Sequence, residues 1–170
     1  FLESFCPIFN SYYSMISAIE EPVFIEYESQ IHNTDYTGLL HESWTKDAYT
    51  QYTTVGIHKD DLNFKIGEES FPIKKFGSQG QQKTFVLALK LAQFEYIANS
   101  RKVKPILLLD DVFDKLDIIR VRQLIHLVGT ERFGQVFLTD TQQGRVEEIF
   151  KDSVIEHKIF TVEKDNIIIQ

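Results

Sequence analysis

The sequence predicts an α/β fold: a mostly parallel sheet flanked by helices, with a helical region before it and a terminal strand pair after it. Three observations carry this expectation. From residue 80 onward, segments with helical apolar spacing alternate with short apolar strands, the pattern of a parallel α/β core. Ile106-Leu107-Leu108-Leu109 contains no polar residue, so both faces of that strand are expected to be covered. The strand runs directly into Asp110-Asp111, and open α/β sheets bind ligands at the carboxyl ends of their strands.

Length and composition suit one core: 170 residues, of which 43% are hydrophobic. The chain opens on Phe1 rather than Met and is expected to be a piece of a longer protein. The single cysteine, Cys6, excludes an internal disulfide and fits a reducing compartment. No apolar run approaches the roughly 20 residues that cross a bilayer, and no signal-peptide pattern is present, so a cytoplasmic location without membrane contact is expected. A net charge of -7 argues against a uniformly basic nucleic-acid surface. A local exception is residues 70–94, which hold no acid but four lysines: Lys74, Lys75, Lys83 and Lys90.

Taken in order, residues 8–20 predict a helix, with Phe9, Tyr12, Tyr13, Ile16 and Ile19 inward, Pro7 at its start and Glu20-Glu21-Pro22 at its end. Residues 23–27 alternate and read as a strand. Asn33-Thr34-Asp35 is a loop or cap before a second helix, residues 36–50, with Leu39, Leu40, Trp44 and Ala48 inward. Trp44 is read as core rather than as a base-stacking platform. Residues 52–57 and 62–66 predict two strands around His58-Lys59-Asp60-Asp61, and Gly67-Glu68-Glu69-Ser70 a turn.

Residues 80–98 are apolar on two sides, Phe85, Leu89 and Ala92 on one and Leu87, Leu91, Phe94 and Ala98 on the other, as in a helix between layers. After the strand at 106–109, Val121, Leu124, Ile125 and Val128 mark a helix by their i, i+3, i+4, i+7 spacing. Residues 135–139 predict another buried strand and 144–150 a short helix. Residues 154–162 and 166–169 predict strands around Lys164-Asp165-Asn166.

Two segments carry chemistry. In Gly77-Ser78-Gln79-Gly80-Gln81 the glycines permit close backbone approach, and the helix that follows aims unpaired N–H groups and its positive dipole end at an anion. By itself this turn reads as a capped helix without a ligand before it reads as a phosphate site. Asp110 can hold Mg²⁺ directly or through water, and the neighbouring carboxylate of Asp111 can orient a water. By itself that pair reads as a polar turn after a strand before it reads as a metal site. His58-Lys59-Asp60-Asp61 fits either a ligand contact or a polar hairpin turn. The other histidines are dispersed, without metal-ligand spacing, and no Ser-His-Asp or Cys-His arrangement is evident.

The combination resembles the ATP-binding-cassette superfamily, in which a Ser-Gly-Gly-Gln-like signature precedes a helix and an apolar strand ending in acids. A further aspartate follows the metal aspartate by seven residues in that superfamily, and Asp117 follows Asp110 by seven. Asp111 stands where a glutamate is usual. Asp140 follows Thr139 where a histidine is frequent. Within the superfamily, Thr54-Val55-Gly56-Ile57-His58-Lys59-Asp60-Asp61-Leu62, FGSQGQQKT (76–84), ALKLAQFEYI (88–97) and LLLDDVFDKLD (107–117) resemble the RecF family of bacterial recombination-repair proteins. The match is strong over about residues 52–145 and looser before residue 50, and it concerns the C-terminal half of such proteins.

The resemblance implies the C-terminal half of an ABC/SMC-like ATPase head, with residues 1–50 as the helical part of a second lobe and 51–170 as the head segment. It implies ATP and Mg²⁺ as cofactors, with Asp110 at the metal and Asp111 as the catalytic, water-positioning acid. Ser78, Gln79, Gly80, Gln81, Asp117 and Asp140 would bind nucleotide, Ser78 and Gly80 at the γ-phosphate held by the opposite subunit. The implied partners are gapped or single-strand/double-strand junction DNA, RecO and RecR, and a second copy in an ATP-dependent homodimer. No G-x-x-x-x-G-K-[ST] loop occurs in the 170 residues, so the chain alone is expected to be inactive. The resemblance implies a DNA-dependent ATPase for the whole protein, and the departures at Asp111 and Asp140 argue that its hydrolysis is weak. Two alternatives are another SMC- or Rad50-like head, and a noncatalytic DNA- or protein-binding module that keeps only the fold.

Overall fold

The structure, a computed structural model, describes residues 1–17, 19–32, 34–114, 116–151, 155–163 and 166–169. Helix α1 (Leu2–Ile16) buries Phe5, Phe9, Tyr12, Tyr13 and Ile16. It starts earlier than predicted, with Pro7 in its interior rather than at its start. Proline there forgoes a helical hydrogen bond. The aromatic face compensates: Phe1 stacks on Phe5, and both meet the Tyr96 ring edge-on, at centroid distances of 5.2 and 6.2 Å. The helix also stops earlier than predicted, at Ile16, and Ile19 is exposed rather than inward. Ser17 turns the chain out of the helix, its hydroxyl donating to the Ile19 carbonyl at 2.8 Å.

Strand β1 (Val23–Glu28) leads to α2 (Tyr36–Thr50), whose N-cap Asp35 accepts the Thr37 N–H at 3.1 Å. The predicted bounds of α2 hold, but its inward face does not. Trp44 is 73% exposed, Ala48 is exposed, and Ser43 is the residue that is buried. A polar contact orients this helix: Asp47 accepts the backbone N–H and the hydroxyl of Thr54, at 2.9 and 2.6 Å. The same contact explains why residues 52–57 form no strand. Thr54 is drawn onto α2, Gly56 takes a left-handed φ of 141°, and Ile57–Lys59 close a 3-10 turn. The hairpin expected around residues 58–61 is replaced by a longer-range pairing. Strand β2 (Asp61–Ile66) runs antiparallel to β1 along all six of its residues, from Val23↔Ile66 to Glu28↔Asp61. After the turn at 67–70, β3 (Phe71–Pro72) adds to β2.

A short helix α3 (Ile73–Phe76) precedes α4 (Gln79–Arg101), the central helix, 23 residues long. Its burial is two-sided, as predicted. The Phe85 ring meets Phe9 of α1 at 4.7 Å and Phe64 of β2 at 5.5 Å, while Leu87 faces Leu109 and Val112 across a cleft. Residues on both sides of position 50 therefore share one core. Gly77 links α3 to α4 at an ordinary φ of -72°, yet a Cβ there would come within 2.7 Å of the Ile73 carbonyl oxygen. That oxygen is already held by the Gly77 N–H at 2.8 Å and cannot move aside freely. Gly77→Ala is expected to destabilise the protein by about 1–3 kcal/mol through overpacking, read as a lower urea midpoint at unchanged slope.

Strand β4 (Leu107–Leu109), helix α5 (Ile118–Val128) and strand β5 (Val136–Leu138) form a parallel crossover unit with Leu107 opposite Val136. Val121, Leu124, Ile125 and Val128 of α5 are buried, as their spacing predicts. The expectation that both faces of the 106–109 strand are covered fails. Ile106 lies outside the strand, and Leu108 and Phe137 are 66% and 47% exposed. Leu107 and Leu109 are buried, and no described residue covers the opposite face. Helix α6 (Gln143–Phe150) follows, then an antiparallel pair, β6 (Phe160–Glu163) and β7 (Asn166–Ile169), with Phe160 opposite Ile169. The predicted strand at 154–162 is shorter at its start, and residues 152–154 and 164–165 lie outside the described residues. The α/β class holds. The parallel sheet is two-stranded here, beside an antiparallel three-stranded sheet and the terminal pair.

Candidate functional site

The turn at residues 77–81 is a capping box. The Ser78 hydroxyl oxygen accepts the Gln81 N–H at 3.2 Å, and the Gln81 side-chain oxygen accepts the Ser78 N–H at 2.8 Å. Gln79 and Gly80 complete the first turn, where backbone N–H groups have no helical partner. Because the Ser78 oxygen is used as an acceptor, its own hydrogen is left to donate elsewhere. The Gln81 amide nitrogen donates to both carboxylate oxygens of Glu21, at 3.0 and 2.9 Å. Gln82 donates to the Gly77 carbonyl at 2.8 Å.

The acid pair lies at the carboxyl end of β4 and is clamped by β5. The Thr139 N–H donates to the Leu109 carbonyl at 3.0 Å. The Thr139 hydroxyl donates to Asp110 Oδ1 and accepts the Asp111 N–H at 3.0 Å. Asp111 takes a left-handed φ of 47°, a region that Asp tolerates better than most residues. Lys83 of α4 donates to the Asp111 carbonyl at 2.7 Å, tying the signature helix to the acid pair. Between them opens a cleft of about 440 Å³, lined among others by Gln79, Gln82, Lys83, Lys90, Leu109 and Asp110.

The two remaining predicted residues follow the two parallel strands, Asp117 as the N-cap of α5 and Asp140 in the loop before α6. Asp117 caps α5, accepting the Arg120 N–H at 2.9 Å and pairing with its guanidinium at 2.7 Å. Those groups hold the Asp117 carboxyl below the usual carboxylate range, the backbone N–H first and the guanidinium charge second. Asp140 accepts the Gln142 N–H at 2.6 Å, while its other oxygen is shielded and has no hydrogen-bond partner among the described residues. The intervening loop is held by Arg145 of α6, which donates to the carbonyls of Phe113 at 2.6 Å and Leu116 at 3.3 Å.

The structure thus brings Asp110 and Gln79 to one cleft, with Asp111 beside it, its backbone held by Lys83 and Thr139. Ser78 and Gln81 sit at the head of α4 and are bound to each other. Asp117 and Asp140 lie on the adjoining loops. Sequence reasoning missed Glu21, read as a helix stop, and Thr139, Lys83 and Arg145 as anchors. Lys83 alone carried a signal, as a member of the acid-free run. Residues 58–61 contact protein groups: a ring nitrogen of His58 lies 2.9 Å from the Thr53 carbonyl, and Asp60 accepts the hydroxyl of Tyr27 in β1. Among the described residues no group of three or more His, Cys, Asp or Glu is placed to hold a metal. Mg²⁺ carried on phosphates needs only one or two carboxylates, and Asp110, with one oxygen occupied by Thr139, fits that demand.

No family model matches the chain. It is 52% identical over 162 residues to the DNA replication and repair protein RecF of Flavobacterium johnsoniae, covering 95% of this chain and 45% of that protein. It is 46% identical over 167 residues to RecF of Bacteroides fragilis, covering 98% of this chain and 45% of that protein. The chain therefore spans less than half the length of these relatives. Among solved structures, the recombination mediator protein RecF with ATP, from the RecFOR pathway, superposes with a TM-score of 0.68 at 24% identity, over 99% of this chain and 44% of that one. An SMC ATPase structure superposes with a TM-score of 0.57 at 11% identity, over 99% of this chain and 85% of that one, a likeness of fold. Among the described residues no helix is long and apolar enough to cross a membrane.

Proposed function

Because this chain belongs to the RecF family and matches the C-terminal part of its members, we propose that it supplies half of an ATP site in a DNA recombination-repair protein. The observation that carries this reading is the clamped acid pair at the end of a parallel strand, tied through Lys83 to the helix that opens at Ser78. Bound MgATP supplies a charged γ-phosphoryl group and a scissile anhydride. Asp110, oriented by Thr139, would hold the metal directly or through its water shell. Asp111 orients a water, and its side chain, one methylene shorter than the usual glutamate, makes hydrolysis slow.

The head of α4 serves a different nucleotide, one presented by a second copy. The Ser78 hydroxyl and the unpaired N–H groups of Gln79 and Gly80 form an anion site suited to a γ-phosphate. Gln81 braces that turn, Asp117 crosses the subunit interface at the start of α5, and Asp140 reads nucleotide from the end of β5. The Ser78 turn of one copy and the acid pair of the other would thus close on one nucleotide, and the two copies would separate after its hydrolysis. In the cytoplasm the dimer engages gapped or junction DNA and works with RecO and RecR. The division at residue 50 describes lobe membership in the whole protein rather than a break in packing, since α1 shares the core with α4.

Titration of the isolated chain with MgATP by calorimetry tests the half-site. The chain alone is expected to bind weakly or not at all, because the phosphate loop and its lysine ordinarily make most phosphate contacts. Micromolar binding by the chain alone contradicts a composite site. Failure of the whole protein to bind MgATP favours a noncatalytic DNA- or protein-binding module.

A further inference from the structure

The Gln81 side chain has a fixed orientation, and the group that fixes it lies 60 residues away. A carboxylate offers only acceptors, so against Glu21 the Gln81 amide must present its nitrogen. Its oxygen then faces the Ser78 N–H, as observed at 2.8 Å. Glu21 is itself pinned. The hydroxyl of the buried Tyr13 donates to it at 3.3 Å. Burial first, and then the Glu21 charge, push the Tyr13 hydroxyl up to about 12, which keeps it a donor. On the other side, the Pro22 carbonyl accepts the Gly67 N–H at 2.9 Å and Val23 opens β1. The carboxylate thus stands on the junction between α1 and the antiparallel sheet.

We propose that Glu21 is a positioning residue for the phosphate-facing turn: it locks the Gln81 amide, which closes the Ser78 cap and leaves the Ser78 hydroxyl hydrogen pointing away from the helix. Without Glu21 the amide is free to rotate. The Ser78 N–H then loses its acceptor part of the time, and the hydroxyl samples other orientations before a phosphate arrives. That loosening acts on capture of a partner's nucleotide, not on the acid pair at β4. The inference rests on the reading of Ser78 as the contact to a second copy's γ-phosphate.

The test uses the whole protein, with ATP-dependent dimerisation followed by sedimentation, ATP binding by the monomer, and thermal melting. Glu21→Ala is expected to raise the protein concentration for half-dimerisation about tenfold, the scale of one lost charge-assisted hydrogen bond. Monomer affinity for ATP should stay within about twofold of wild type. Glu21→Gln keeps an oxygen that can accept the Gln81 amide and adds no charge to the turn, so it should retain most of the dimerisation, at temperatures where all variants are fully folded. Glu21→Leu, which fills the space but accepts nothing, replaces Glu21→Ala if the latter does not fold. Unchanged dimerisation in Glu21→Ala or Glu21→Leu, or a Glu21→Gln variant no better than these, overturns the role of Glu21. If wild type fails to dimerise with ATP, or Ser78→Arg dimerises normally, the composite-site reading fails and this inference falls with it.

Discussion

Ser78→Arg in the whole protein is expected to abolish ATP-dependent dimerisation while leaving a folded monomer that still binds ATP. The long side chain occupies the space in front of the first turn of α4, where a γ-phosphate from the second copy would sit. The substitution also removes the cap, because arginine has no acceptor for the Gln81 N–H now bound at 3.2 Å. Loss of an N-cap costs roughly 0.5–2 kcal/mol, within the usual stability margin of a domain. Ser78→Ala separates the two effects. It loses the same cap but adds no bulk, so it should lower stability similarly and weaken dimerisation only in part. Sedimentation with and without ATP reads the outcome. ATP-driven dimerisation at wild-type strength in Ser78→Arg leaves the turn a helix cap and removes the main support for a site shared between two copies.

Asp111→Asn and Asp110→Asn should fail differently. Both substitutions keep the side-chain shape. In Asp111→Asn the backbone N–H can still reach the Thr139 hydroxyl, now at 3.0 Å, so the turn should persist. ATP binding is expected to survive, and hydrolysis to slow by about a hundredfold or more, the usual contribution of a group that takes up or orients a proton. In Asp110→Asn the Thr139 hydroxyl keeps an oxygen to donate to, but the charge that attracts Mg²⁺ is gone. Nucleotide binding should lose most of its Mg²⁺ dependence, read by titration with and without EDTA. Hydrolysis at the wild-type rate in Asp111→Asn would take the water-positioning role from that residue. Unchanged Mg²⁺ dependence in Asp110→Asn would do the same for the metal.

What the sequence by itself determined is whatever rests on neighbours in the chain. The bounds of α2, the two-sided burial of α4 and the inward face of α5 follow from apolar spacing over a few turns. The capping box follows from Ser78 and Gln81 standing three residues apart, and the place of Asp110 from an apolar strand that ends there. Tertiary structure alone decided matters of partner choice. Strand β2 had a candidate hairpin partner in residues 52–57 and pairs instead with β1, because Asp47 captures Thr54 and Gly56 breaks the extended run. Trp44 lies outward because a polar contact, not an apolar stripe, orients α2. Pro7 sits inside α1 because Phe1 and Phe5 find Tyr96. Glu21 with Gln81, Thr139 with Asp110, and Arg145 with Phe113 are pairs 60, 29 and 32 residues apart. No local propensity encodes such pairs: each forms only after packing has paid the entropy of bringing distant segments together.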